Sequence, residues 1–173
     1  MVAIIKKILI AGVGNELKQD DAFGIEFVKK FQNIVSHLSR IIVMEVGIGG
    51  IHLVQELHAQ YDILILVDSV AWGKEAGHIY FREMEKVSDI EKMPVFEKRT
   101  FLADMHYTNP IRALMLAKAL KVLPKEVYIL GCEAAKHDDF AIGMTDVVEN
   151  AIPKAIILLK NWLITKKLAS FNE

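Results

Sequence analysis

Three residues far apart along the chain, Asp21, Asp68 and His106, offer two carboxylates and an imidazole. That donor set suits a hard-to-borderline divalent ion such as nickel, zinc, manganese or iron, and it leaves coordination positions open for a substrate group. Asp21 is the second of an acidic pair that follows the glycine turn in "GVGNELKQDD". Asp20 reads as the N-cap of the next helix, which leaves Asp21 to point elsewhere. Each acid also has a plainer role: the pair complements a helix dipole, and Asp68 can form a turn or a cap. What favours chemistry is the position of Asp68 at the end of a strongly apolar strand, where an unpaired carboxylate is costly. "KHDDF" (136–140) is a rival cluster, with His137, Asp138 and Asp139 on an expected loop.

Other chemistries are poorly supplied. The G-x-G of "GVGNEL" lacks the third glycine of a dinucleotide fingerprint, because Leu17 stands there. Two acids in the first helical turn would repel a phosphate. No Walker lysine, G-x-S-x-G elbow or H-E-x-x-H helix occurs. The single cysteine, Cys132, excludes an intrachain disulfide and reads as a small buried hydrophobe. His37, His52, His58 and His78 fall into no pattern.

The elements that must position these groups are legible in outline. Apolar runs at 7–12, 40–46, 62–68, 77–84 and 126–131 predict five strands. The first, third and fifth are continuous Ile/Leu/Val runs, as in parallel strands covered on both faces. Phe23, Phe27 and Phe31 recur every four residues and define one face of a helix over 21–31. Further helices are expected over 51–59, over 109–122 with Pro110 at its first position, and over 145–168 with a kink or break near Pro153. This order predicts one three-layer α/β/α sandwich around a mostly parallel, twisted sheet of about five strands, with the fourth strand a candidate for antiparallel pairing. Residues 85–106 are expected to be an irregular surface loop. Ligands of such sheets bind beyond the carboxyl ends of the strands, which is where Asp21, Asp68, Glu45, Gly131, Cys132 and Glu133 fall.

At 53% hydrophobic and 25% charged residues the chain has a globular composition. A formal net charge of −1 gives no sign of a nucleic-acid partner. The N-terminal residues lack a secretory layout, and no apolar run approaches the ~20 residues of a membrane span. A cytoplasmic protein without membrane insertion is therefore expected.

Several segments, in order, resemble the hydrogenase maturation proteases: "GVGNELKQDDAFG" (12–24), "EVGIGG" (45–50), "ILILVDSV" (63–70), "DMHYTN" (104–109), "ILGCEA" (129–134) and "IGMTDVVENAIPKAI" (142–156). The resemblance implies a single domain over residues 1–173. It implies an endopeptidase that removes the C-terminal extension of a [NiFe] hydrogenase large-subunit precursor. The metal-binding positions of that family fall on Asp21, Asp68 and His106. The nickel is expected to arrive with the substrate, and no organic cofactor is implied. Ile48 stands where many relatives carry a small hydroxyl residue, Ala22 replaces a frequent glycine, and Cys132-Glu133 is expected in a variable loop. A nucleotide-binding module and a non-catalytic metal-sensing chaperone are the alternatives.

Overall fold

The apolar runs pair into one five-stranded sheet with helices on both faces. The computed structural model describes residues 6–98, 110–135 and 140–171. The strands are β1 (Ile8–Val13), β2 (Ile41–Gly47), β3 (Ile63–Val70), β4 (Ile79–Glu83) and β5 (Glu126–Glu133), in the spatial order β2-β1-β3-β5-β4. All neighbours run parallel except β4, which is antiparallel to β5. The chain leaves β1 to one side for β2 and returns on the other side for β3. The carboxyl ends of β1 and β3 therefore flank the point where the strand order reverses, the usual ligand crevice of such sheets.

Alternation along the strands sorts the core into two layers. Ile8, Ile10, Ile63, Ile65 and Val67 face α1 (Phe23–Val35) and the closing helix, while Leu9, Ala11, Leu64 and Leu66 face α2 (Gly50–Leu57) and α3 (Pro110–Ala119). The phenylalanine stripe of α1 is fully buried, with Phe27 and Phe31 stacked at 5.3 Å between ring centroids. Each such ring contributes roughly 2–3 kcal/mol through burial.

Several local expectations are corrected. Helix α1 begins at Phe23, after a 3-10 turn over Gln19–Ala22, and its N-cap position is Ala22. Asp20 is not the N-cap of α1; it is fully buried and its carboxylate is turned inward. The closing segment is two helices, α4 (Asp146–Glu149) and α5 (Ala151–Thr165), separated at Asn150. Pro153 lies inside the first turn of α5, where a missing N–H costs no intrahelical bond. Cys132 and Glu133 are the last residues of β5 and not part of a loop, because the parallel ladder with β3 continues to the Val70–Glu133 pair. Of the 85–106 segment, residues 85–98 carry only short helical turns, including a 3-10 turn at Ile90–Lys92. His106, the first residue of the expected 109–122 helix, and the 136–139 part of the rival cluster lie outside the described residues.

The glycines of the first motif serve close packing of the chain against itself. A Cβ at Gly12 would stand 2.3 Å from the Gly24 carbonyl oxygen, and one at Gly24 would stand 2.2 Å from that of Val13 and 2.3 Å from that of Val67. The start of α1 thus rests directly on the ends of β1 and β3. Gly24→Ala is expected to cost about 2 kcal/mol or more, since the obstructing atoms are backbone. Chemical denaturation measures this directly, and an unchanged midpoint would contradict the close approach.

Candidate functional site

Asp21 is set by its backbone before its side chain comes into play. Gly14 has a φ of +137°, and a Cβ there would meet the Asp21 carbonyl oxygen at 1.8 Å. That carbonyl accepts from the Asn15 N–H at 3.2 Å, and the Asp21 N–H donates to the Lys18 carbonyl at 3.0 Å. Asn15 also shapes the turn by accepting from the Leu17 N–H at 3.0 Å. The position beside Gly14, the second glycine of G-x-G, is thus taken by the chain's own Asp21 carbonyl.

Asp68 occupies the penultimate turn of pleat in β3. Alternation with Leu64 and Leu66 places it on the α2/α3 face, while Ser69 points to the α1 face. The Ser69 hydroxyl, almost fully buried, donates to Asp21 Oδ1 at 3.2 Å. Asp68 lies close enough to Asp21 to feel its charge. Burial first, and the Asp21 carboxylate second, push the Asp68 carboxyl up to about 8, against the opposing pull of a backbone hydrogen bond at Ser69. Among the described residues, neither acid is in an ion pair with Lys, Arg or His. Two adjacent carboxylates without a cation, one of them desolvated, are a donor set that fits a divalent ion. Among the described residues no three His, Cys, Asp or Glu side chains converge on one point. The third expected member, His106, lies outside those residues.

The rim holds two further acids, and both are satisfied by the protein. Asp20 is fully buried; it accepts from the Ala135 N–H at 2.9 Å, the Thr145 N–H at 2.7 Å and the Thr145 hydroxyl at 2.9 Å. It thereby ties the turn carrying Asp21 to Ala135 and to Thr145, helped by the Gln19 N–H to Ala141 carbonyl bond. Glu133 accepts from the Trp72 and Gly73 N–H groups, both at 3.0 Å, and from the Tyr80 hydroxyl at 2.7 Å. Burial works to raise its carboxyl, yet Tyr80 and the backbone of Gly73, Trp72 and Lys74 hold it at about 2. Sequence reasoning missed both roles. The available signal for Glu133 was the one used for Asp68, an acid ending an apolar strand. Cys132 is fully buried, and burial together with the charges of Asp20 and Glu133 pushes its thiol up to about 12, so it is inert as a nucleophile. Glu45 is exposed and lines, with Gly14, Leu17 and Ile48, a shallow cavity of about 420 Å³ beside the acid pair.

Comparison with known proteins gives a consistent picture. Residues 25–162 match the family model described as hydrogenase maturation protease. The hydrogenase expression/formation protein HupD of Rhizobium leguminosarum bv. viciae is 27% identical over 160 residues, spanning 90% of this chain and 75% of the relative. The hydrogenase 2 maturation peptidase from Thaumarchaeota archaeon SCGC_AB-539-E09 superposes with a TM-score of 0.66 at 26% identity, covering 95% of this chain and all (100%) of that one. The hydrogenase maturating endopeptidase HybD from E. coli shares the fold, with a TM-score of 0.68 at 22% identity over 92% of this chain and 93% of its own.

The raised Asp68 carboxyl carries a stability consequence. Its folded pKa of about 8 exceeds its ordinary value of 3.8, so between those values the folded chain holds a proton that the unfolded chain has released. Its contribution to stability therefore falls as pH rises from about 4 to about 8. Asp68→Asn abolishes that slope. The melting temperature of the variant should exceed that of the parent at pH 8 by a few degrees more than at pH 4; a constant difference would show that Asp68 titrates normally.

Proposed function

Because the chain belongs to the hydrogenase maturation protease family, and is thereby a processing peptidase, we propose that it removes the C-terminal extension of a [NiFe] hydrogenase large-subunit precursor after nickel insertion. The nickel belongs to the substrate. Asp21, Asp68 and His106 add ligands to it and so read whether the precursor is loaded. The observation that carries this reading is the pair of adjacent acids, Asp21 and Asp68, with no cationic partner among the described residues, at the strand-order reversal. An open set of two carboxylates and one imidazole attracts a divalent ion without enclosing it, which suits an ion that must arrive and depart with a partner protein.

The chemistry follows from such a shared ion. Held by Asp21, Asp68 and His106, such an ion would supply Lewis-acid chemistry at the scissile carbonyl or at an attacking water. The two carboxyl groups differ in environment. Asp21 is held by the Ser69 hydroxyl, whereas Asp68 has no side-chain hydrogen-bond partner among the described residues and is the group better suited to take a proton from attacking water. Asp20, committed to Ala135 and Thr145, has no free lone pair aimed at substrate and acts as scaffold.

The direct test is mass spectrometry of the precursor before and after incubation. Wild type should release the tail from nickel-loaded precursor and leave nickel-free precursor intact. Asp21→Asn, Asp68→Asn and His106→Ala should each lower the rate by a factor of 10³ or more, the scale of losing a reaction's main electrostatic element. Normal cleavage by all three variants would overturn the site. Complex formation with no change of mass would instead favour a metal-sensing chaperone.

A further inference from the structure

The loop leaving β3 beyond Asp68 carries an exposed tryptophan on a support built to hold it still. Trp72 is 46% exposed, a costly place for the largest apolar side chain. Its backbone is fixed from below: Glu133, itself buried, spends its carboxylate on the Trp72 and Gly73 N–H groups and on the Tyr80 hydroxyl. Its ring is braced at the side. Tyr80 meets it edge-on at 4.8 Å, and the Arg82 guanidinium lies 5.4 Å from the indole centroid and 5.3 Å from the Tyr80 ring. Arg82 is exposed and, among the described residues, makes no ion pair with a carboxylate.

The sheet connects this cluster to the acid pair. Asp68 stands opposite Gly131, and Gly131 opposite Tyr80, so the three form one cross-strand row on the α2/α3 face. The middle position has no side chain, and its space is floored by Val70 and the edge of the Trp72 ring. Two strand spacings of ~4.8 Å put Tyr80 about 10 Å from Asp68. An extended polypeptide covers that distance in about three residues.

We propose that Trp72 and Arg82 form an anchor for the precursor polypeptide beside the scissile bond, taking a segment with a carboxylate next to an apolar side chain about three to five residues from the cut. This rests on the processing reading above. Charge complementarity names the acid, because Arg82 is a stacked guanidinium with no ion-paired carboxylate among the described residues, and the indole supplies the apolar contact. The anchor contributes to binding and not to the bond-breaking step.

The chain has two tryptophans, and Trp162 packs against Phe81 and Tyr128. A Trp162→Phe background therefore leaves Trp72 as the reporter. Titration with a nickel-loaded large-subunit precursor from the same organism should shift Trp72 emission to the blue, saturably. In parallel cleavage assays Arg82→Glu and Trp72→Ala should raise KM roughly tenfold with kcat within twofold, and Arg82→Lys should recover most of the loss. Neither arginine change touches the loop's hydrogen bonds, so a folding defect in Trp72→Ala leaves the test intact. Converting precursor acids within five residues of the cut to amides should raise KM similarly and add little to Arg82→Glu. Normal cleavage with unmoved KM values, or with silent Trp72 emission, overturns the anchor and leaves the protease reading standing. A saturable emission shift that Arg82→Glu abolishes, without any cleavage by wild type, keeps the anchor and removes the protease reading.

Discussion

Three glycines let backbone lie on backbone, and the placement of the acid pair depends on that contact. Gly12 and Gly24 allow the start of α1 to touch the ends of β1 and β3, and Gly14 leaves room for the Asp21 carbonyl itself. Any side chain at these points would lift the 3-10 turn off the sheet and carry Asp21 away from Asp68. The sheet order then adds its own condition. Because β1 and β3 are neighbours at the reversal of strand order, the turn after one strand and the end of the other open into the same crevice. Steric closeness along the chain and topology across the sheet together bring two carboxyl groups within reach of each other.

Asp20, Asp21, Asp68 and Glu133 lie on this rim, and the protein treats them in two ways. Asp20 and Glu133 are given backbone N–H groups and a hydroxyl, which fixes the loops on either side of the crevice. Asp21 receives a single hydroxyl from Ser69, and Asp68 is left desolvated beside it. Satisfied buried carboxylates are scaffold; an unsatisfied pair is an energetic cost that a cation arriving from outside removes. The loops secured by Asp20 and Glu133 bound the space through which such a cation and its polypeptide must enter.

Much of this was legible in the residues. Continuous Ile/Leu/Val runs announced covered parallel strands, the four-residue phenylalanine repeat announced α1, and Asp68 stood out because an acid ends the most apolar run. The failures have physical reasons. Asp20 has the sequence signature of an N-cap, yet its partners at Ala135 and Thr145 are more than a hundred residues away, and tertiary bonds outrank local capping. The length of β5 could not be read because Gly131, Cys132 and Glu133 look like a turn; the ladder with β3 extends it. The break at Asn150 precedes the proline that seemed to mark it, since Pro153 is tolerated in a first turn. No pattern flagged Ser69, whose role exists only because α1 sits on its face of the sheet.

The central claim is that the precursor's nickel gains oxygen and nitrogen ligands from this crevice when the two proteins meet. X-ray absorption at the nickel edge, on loaded precursor alone and on its complex with Asp68→Glu or wild-type protein trapped at low temperature, reads that event without requiring turnover. The account predicts added O/N scatterers at about 2.0–2.2 Å in the wild-type complex, a distance typical of such donors on a divalent ion, and an altered shell with the longer side chain. A nickel spectrum identical in free precursor and in both complexes would contradict it.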